Sequence, residues 1–238
     1  MNQSSLPLNP HPLKPQIKIS PSTLELYRSY KEGRYEGTPY EVTAQKLVAY
    51  LKGERFVTTA NTKGTAFHKM LERGAEPFKQ ANGTYKVTSK RDNAETVFDN
   101  YVGRVADRFR ELHPDMIYEI PLSIEMELMG YKVISNMRMD ALNPFPLKIH
   151  DFKTTSKTRG YQTEEDYYPS MQWRMYLLAC DDVQDFQYDI FHFKSEPDEK
   201  PLLYYSFMFN REIDMEQVVG DYMIGFIKFC EQHNIIKT

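Results

Sequence analysis

The spacing of apolar and polar residues changes along the chain, and each change predicts a different element. After Tyr118 the period is two, because the apolar residues on one side are Ile120, Leu122, Ile124, Met126 and Leu128. This alternation predicts a β-strand with one buried face. Gly130 predicts a turn into a second strand over Tyr131 to Leu142, and a third strand holds Asp151 and Lys153. The three segments predict an antiparallel meander.

Helical periods lie on both sides of this meander. The predicted helices share apolar stripes at a spacing of three to four residues. The first helix opens at 20–23, and the others cover about 43–51, 61–72, 92–112, 169–180 and 214–232. Ser22 and Glu25 predict a capping box in the first helix. Residues 74–91 predict a loop or a short hairpin, and two further strands are expected at 186–193 and 203–209.

The first 18 residues differ in composition from the rest of the chain. They contain Pro7, Pro10, Pro12 and Pro15 among polar residues, which predicts a flexible, extended arm over residues 1–18. Of the 238 residues, 41% are hydrophobic and 13% aromatic, so a sizeable core is expected. We therefore predict one α/β (α+β) domain over residues 19–238, with a mixed β-sheet flanked by helices.

Charge and cysteine content narrow the classes of function. The net charge is −3, so nucleic acid would have to bind through a local positive strip or through metal ions. Cys180 and Cys230 predict buried thiols, and two cysteines cannot supply a four-cysteine zinc site or iron–sulfur cluster. The sequence contains no run of 18 apolar residues, so no membrane span is predicted. The N-terminus is polar and lacks the hydrophobic region of a signal peptide, so a cytoplasmic protein is expected.

The strongest candidate chemistry lies on the second and third strands. Asp151 and Lys153 are two residues apart and therefore share a face of the sheet. A hairpin at 143–146 would bring Asp140 alongside Asp151. Two converging carboxylates with a lysine would suit a hard divalent cation, which prefers oxygen ligands. The alternative is an exposed strand edge without a metal.

Polar residues on two helices and one loop extend this candidate site. His68 shares a helix face with Glu72, and a surface pair between them is the alternative to a functional role. Gln172 and Tyr176 also lie four residues apart on one face. The loop after Lys153 holds Lys157 and Arg159. Together with Lys148 and Lys153, these residues predict either a phosphate-binding strip or a solvated loop.

In chain order these segments are Gly64-Thr65-Ala66-Phe67-His68, Met139-Asp140-Ala141, Asp151-Phe152-Lys153-Thr154, and Gln172 with Tyr176. Together with Ser20-Pro21-Ser22-Thr23-Leu24, they resemble the RecB-like branch of the PD-(D/E)XK nuclease superfamily. They look most like the phage and prophage recombination exonucleases of that branch. The resemblance spans roughly residues 20–180 and implies a restriction-endonuclease-like core.

The resemblance implies a metal site. Asp140, Asp151 and the backbone carbonyl of Phe152 would bind Mg²⁺ or Mn²⁺, with His68 as a further ligand. Glu119 resembles an upstream acidic position of the branch, and whether it joins the site stays open. The iron–sulfur cysteines of several relatives are missing, so no such cluster is expected.

The resemblance also assigns residues to catalysis and DNA contact. Lys153 would orient or activate the attacking water and stabilise charge in the transition state. Gln172 and Tyr176 would hold the DNA strand or brace the neighbouring acidic motif. Lys157 and Arg159 would provide the phosphate-binding strip.

The implied activity is that of a metal-dependent DNA exonuclease, which hydrolyses phosphodiester bonds from DNA ends in phage-type recombination or repair. Its partners would be DNA, as duplex ends or a single strand, and a single-strand annealing protein, and relatives often form homo-oligomeric rings. Two alternatives stay open. One is a structure-specific or CRISPR-type endonuclease, and the other is a catalytically silent nucleic-acid-binding domain of the same fold.

Overall fold

A computed structural model describes residues 14–54, 59–89, 93–155, 162–193 and 202–236. The strands are β1 (Lys14–Lys18), β2 (Tyr85–Thr88), β3 (Glu95–Phe98), β4 (Ile117–Leu128), β5 (Tyr131–Pro144), β6 (Leu147–Thr155), β7 (Asp185–Phe193) and β8 (Leu202–Asn210). The α-helices are α1 (Pro21–Lys31), α2 (Ala44–Leu51), α3 (Thr59–Arg73), α4 (Asn100–Leu112), α5 (Glu164–Tyr167), α6 (Met171–Leu178) and α7 (Met215–Gln232). A 3₁₀ turn covers Glu76–Phe78. Within these residues the mixed sheet has six strands.

Strand β5 is the centre of the sheet. It pairs antiparallel with β4 from Tyr131 to Leu142. Its other edge is shared, because β1 pairs in parallel with residues 131–134 and β6 pairs antiparallel with residues 141–144. Strand β7 continues the sheet parallel to β6, and β8 is antiparallel to β7. The predicted meander and the predicted mixed sheet are confirmed, and the architecture is consistent with a restriction-endonuclease-like core.

The prediction of a flexible arm is wrong for its last five residues, which form β1. Ile17 and Ile19 are 6% and 1% exposed, so they belong to the core. The abundance of proline predicted an unpaired chain, but the free edge at the start of β5 offers this short segment a backbone partner. Residues 1–13 of the predicted arm lie outside the described residues.

The start of the fourth helix was also predicted wrongly. Residues 95–98 form β3, which pairs with β2 in a hairpin. Helix α4 begins only at Asn100, where the Asp99 side chain accepts a hydrogen bond from the Val102 N–H at 2.9 Å. Val97 is exposed and Phe98 is buried, which is the alternation of a strand. Over four residues this alternation cannot be separated from a helical period by sequence spacing.

Two of the remaining helix ends differ slightly from the prediction. The cap of α1 is Ser20, whose Oγ accepts from the Thr23 N–H at 3.1 Å, so the predicted Ser22 capping box is wrong. Helix α6 starts one residue after Ser170, which caps it. The C-terminal helix α7 is present as predicted.

Two hydrophobic cores cover opposite faces of the sheet. The first contains buried residues of α1, α2, α6 and α7, including Trp173 and Cys230. The second contains α3, α4 and the β2–β3 hairpin, packed on Phe152, Phe191 and Phe193. Both cysteines are free thiols, although Cys180 is only half-buried. Among the described helices, none combines the length and the apolar run that crossing a membrane requires.

A buried hydrogen bond joins β6 to β7. His150 Nδ1 lies 2.7 Å from Asp189 Oδ2, and the two side chains are 1% and 0% exposed. The Gln187 amide and the Tyr204 hydroxyl donate to the other Asp189 oxygen, at 2.7 and 2.6 Å. These contacts fix the strand that contains Asp151 against its parallel neighbour.

Substitution at Gly103 tests the packing of α4 against the hairpin. A Cβ atom there would lie 2.1 Å from Tyr85 Cε2, so we expect Gly103→Ala to lower the free energy of unfolding by about 1–3 kcal/mol. Gly220→Ala in α7 is the matched control, since its Cβ would meet no atom within 4 Å. The control should gain up to about 1 kcal/mol from helix propensity. Urea denaturation measures both, and equal effects would contradict the described packing.

Candidate functional site

The site begins where β5 and β6 separate. The two strands are joined by a turn at the predicted position, and their last paired residues are Ala141 and His150. Beyond this last pair, at Asp140, a side chain replaces the backbone as the hydrogen-bond partner of β6. The Asp140 Oδ2 accepts a hydrogen bond from the Phe152 N–H at 2.7 Å. The hairpin therefore brings Asp140 beside the segment that contains Asp151.

Asp151 is held by two partners from two elements. Its side chain is 3% exposed, and Oδ2 lies 2.6 Å from Lys153 Nζ. Its Oδ1 accepts from the Gln172 Nε2 amide at 2.7 Å, and the same amide accepts through Oε1 from Lys153 Nζ at 2.8 Å. The carboxylate, ammonium and amide thus form a closed ring of contacts between β6 and α6.

Tyr176 lies one helical turn after Gln172 and reaches the part of the β5 edge that pairs with neither β1 nor β6. Its hydroxyl donates to the backbone carbonyl of Arg138 at 2.9 Å. Residues 135–140 lie between the segments paired with β1 and with β6, so this bond satisfies a carbonyl without a strand partner there. Burial, followed by the charge of Asp151, raises the pKa of Tyr176 well above its ordinary value. The hydroxyl therefore stays a donor at neutral pH.

His68 faces Asp140 rather than Glu72. Its Nδ1 lies 3.6 Å from Asp140 Oδ2, and its ring stands perpendicular to the ring of Phe152. Glu72 instead lies 3.4 Å from Arg73 Nε, so the surface pair considered from the sequence is not formed. Burial alone would lower the pKa of His68, but Asp140 and then Asp151 outweigh it and raise that pKa above its ordinary value.

Gly64 explains how α3 approaches the site so closely. A Cβ atom at this position would lie 2.5 Å from Thr154 Oγ1 on β6. The glycine therefore lets the helix backbone approach the strand and brings His68, one turn later, over Asp140. The glycine in the Gly-Thr-Ala-Phe-His segment has a packing reason that the sequence alone did not reveal.

The two acids have opposite pKa shifts. Burial, opposed by Lys153 and reinforced by Asp140, raises the pKa of Asp151 to about 6. Burial also acts to raise the pKa of Asp140, but His68, Lys153 and the Phe152 N–H outweigh it and lower that pKa. Asp140 is thus a permanent negative charge, whereas Asp151 changes its charge near neutral pH.

Glu119 lies directly across from Asp140 on β4. Its neighbours Tyr118 and Ile120 pair with residues 141 and 139, and its φ of 58° is unusual for a glutamate in a strand. Its Oε2 lies 2.8 Å from Arg138 Nε. Burial raises the pKa of Glu119, although Arg138 partly opposes this shift. Glu119 therefore borders the site, and Arg138 is a neighbour that the sequence analysis did not single out.

The predicted basic strip is only partly described. Lys157 and Arg159 lie outside the described residues. Lys148, near the other end of β6, donates to Gln187 Oε1 at 2.8 Å and belongs to the contacts between β6 and β7. Lys153 is therefore the cation of the predicted strip that the described residues place at the acids.

A cavity of about 460 Å³ opens beside Lys153 and Gln172. Its far wall includes Arg34, Tyr35 and Tyr167. No sequence pattern indicated these lining residues; Arg34 and Tyr35 lie in a glycine-containing segment after α1. The cavity gives a ligand access to the lysine from solvent.

The donor atoms of the site suit a hard cation. Within the described residues, no group of three or more His, Cys, Asp and Glu side chains is arranged to hold a metal ion. Mg²⁺ is commonly bound through one or two carboxylates together with waters and substrate phosphates. Asp140 and Asp151 supply two carboxylates, and the buried charge of Asp151 is one that a cation would stabilise. The residues fit Mg²⁺ or Mn²⁺ with some ligands from outside the chain.

The solved structures that are similar to this chain include the following three. A phage-related exonuclease from Haemophilus somnus 129PT shares 11% identity at a TM-score of 0.49, over 91% of this chain and 94% of that one. LHK-Exo, in complex with dAMP, shares 12% identity at a TM-score of 0.42, over 91% and 89%. SSO0001 shares 14% identity at a TM-score of 0.46, over 89% and 75%.

No protein-family model matches the chain, and no curated protein matches it. With identities of at most 14% and TM-scores of at most 0.49, these similarities leave the activity of this chain to be inferred from its own residues.

Proposed function

We propose that the protein is a metal-dependent nuclease that hydrolyses phosphodiester bonds of DNA from its ends. The observation that supports this best is the ring of contacts between Asp151, Lys153 and Gln172, next to Asp140 and His68. A buried carboxylate, a lysine and a second acid are costly to bring together unless they act on a ligand. An open cavity beside the lysine supplies the access that a phosphodiester needs.

Lys153 acts directly on the reacting groups in this proposal, and Gln172 keeps it in position. The Lys153 ammonium orients the attacking water and stabilises the negative charge that develops on the phosphoryl oxygens. Gln172 holds the lysine by its Oε1 and Asp151 by its Nε2, so both keep their positions when the substrate arrives. Tyr176 braces the same helix face against β5.

Asp140, Asp151 and the backbone carbonyl of Phe152 would hold Mg²⁺ or Mn²⁺, with His68 beside them. A bound divalent ion would supply Lewis-acid stabilisation and lower the pKa of water. Asp140 keeps its negative charge because its pKa is lowered. The Phe152 N–H orients that carboxylate toward β6.

The exonuclease mode and its biological setting rest on the sequence resemblance. The resemblance favours a role in phage-type recombination or repair, with a single-strand annealing protein as partner and a homo-oligomeric ring as the working form. A structure-specific or CRISPR-type endonuclease and a silent nucleic-acid-binding domain are the alternatives. The geometry favours an active site over a silent one, since Lys153 lies 2.6 Å from Asp151 and its charge also acts to lower the pKa of Asp140.

Digestion of linear and covalently closed DNA in Mg²⁺, Mn²⁺ or EDTA tests the proposal. We expect loss of linear DNA only, and only with metal. Lys153→Met keeps the length of the side chain but removes the ammonium, so the rate should fall by about 100-fold or more. Lys132→Met, at an exposed lysine paired with Glu125, is the matched control and should keep the rate.

Each other outcome of this experiment has a defined meaning. Cutting of the closed circle would replace the exonuclease by an endonuclease. DNA binding without cutting in either metal would favour the silent domain. Cutting without metal would contradict the role of Asp140 and Asp151 as metal ligands in catalysis.

Calorimetric titration with Mn²⁺ tests the metal ligands without relying on activity. Asp140→Ala should weaken binding by at least about 10-fold, because it removes one of two protein carboxylates. Asp115→Ala, at an exposed aspartate in a turn, should bind like the wild type. Unchanged affinity in Asp140→Ala would show that the ion binds elsewhere.

Metal affinity should depend on pH. Below pH 6, protons compete for Asp151, whose pKa is raised to about 6, and protonated His68 also loses its ability to bind a cation. The Mn²⁺ affinity should therefore rise as the pH increases through about 6, and it should level off only after His68 has also lost its proton. The same titration between pH 5 and 8 measures this, and a constant affinity across that interval would contradict the assignment.

A further inference from the structure

A carboxylate from the N-terminal helix reaches the first turn of α6. Glu25 Oε2 accepts a hydrogen bond from the Met171 N–H at 3.1 Å, across 146 residues of sequence. Met171 is the first residue of α6, and its N–H has no partner inside the helix. A negative charge at this end also interacts favourably with the helix dipole. Glu25 therefore fixes the start of the helix whose next residue is Gln172.

Glu25 is itself held in place. Arg28, whose side chain is 1% exposed, lies 2.5 Å from Glu25 through Nη2, and its Nε is 3.2 Å from both carboxylate oxygens. The same guanidinium lies 2.6 Å from Glu32, which accepts from the Tyr222 hydroxyl of α7 at 2.7 Å. Arg28 thus joins Glu25, which contacts α6, to Glu32, which contacts α7, and a connected set of contacts of this kind is rigid.

We propose that Glu25 is a positioning residue for the candidate site. It holds the first turn of α6, so that the Gln172 amide reaches Asp151 and Lys153 at 2.7 and 2.8 Å. This inference rests on the proposed function and adds to it a residue that no motif of the sequence points to. Glu25 lines the same cavity as Lys153 and Gln172, and in this proposal it acts through Gln172.

The contacts at the start of α6 distinguish a positioning role of Glu25 from a general contribution to stability. Ser170 Oγ also caps α6, but it binds the Gln172 N–H, one residue further along. The helix would therefore still form without Glu25, whereas the placement of its first turn relative to β6 would lose an anchor. A misplacement of about 1 Å in a catalytic arrangement can cost about 100-fold in rate.

Two double variants isolate the hydrogen bond. The acceptor variant combines Glu25→Gln with Arg28→Met, which removes both charges and keeps an oxygen acceptor for the Met171 N–H. The apolar variant combines Glu25→Leu with Arg28→Met, which has a similar shape and no acceptor. Both leave Glu32 with its Tyr222 partner, and both remove the charge that lies 3.5 Å from Arg34. Equal melting temperatures are therefore expected, and the two variants differ mainly in the oxygen acceptor.

Two readouts are measured on both variants and on the wild type. The first is hydrogen exchange of the Gln172 side-chain NH₂, assigned by the signal that Gln172→Glu removes. The second is steady-state cleavage of linear DNA with Mg²⁺. We expect the acceptor variant to match the wild type in both, and the apolar variant to lose amide protection and about 10- to 100-fold in kcat with KM unchanged.

Retained amide protection in the apolar variant would overturn the inference, and so would equal losses in both variants at equal melting temperature. If the wild type cleaves no DNA, the proposed function fails, and the exchange readout still decides whether Glu25 positions Gln172. The two failures are therefore distinguishable.

Discussion

A buried negative charge is the constraint on which the rest of the site depends. Asp151 lies almost fully out of water, and an uncompensated carboxylate in such a place is strongly unfavourable. Lys153 compensates one oxygen and Gln172 the other. Because these two partners come from β6 and from α6, the strand and the helix must keep a fixed distance. The surrounding contacts maintain that distance, since His150 and Asp189 fix β6 to β7 and Glu25 fixes the start of α6.

Much of the fold could be predicted because its central strands alternate over long segments. The period of two over β4 is unambiguous across twelve residues, and Gly130 separates it from β5. The errors fall where the segment is short. Strand β3 has four residues, and β1 has five with a proline, so pairing decides their structure and local spacing does not. Such pairing depends on whether another strand has a free edge, and the local sequence pattern gives no information about that edge.

The candidate site was predictable in residue type but not in contacts. The sequence placed Asp151 and Lys153 on one face and Gln172 one turn from Tyr176. It did not reveal that the amide joins the acid to the lysine. Glu25 was assigned to a capping box on its own helix, whereas its carboxylate caps a helix 146 residues away. A contact at that separation has no local sequence period, so only the folded chain shows it.

The shared edge of β5 explains why the site lies where it does. A β6 strand paired along the whole of β5 would use the backbone groups of residues 135–140 in the ladder. Here β1 takes the first part of that edge and β6 takes only the last, so the middle is free for side chains. The Tyr176 hydroxyl satisfies the Arg138 carbonyl, and the Asp140 carboxylate satisfies the Phe152 N–H. The side chains that fill the unpaired middle of the β5 edge also surround Asp151. The interruption in the pairing of β5 and the candidate site are therefore one feature.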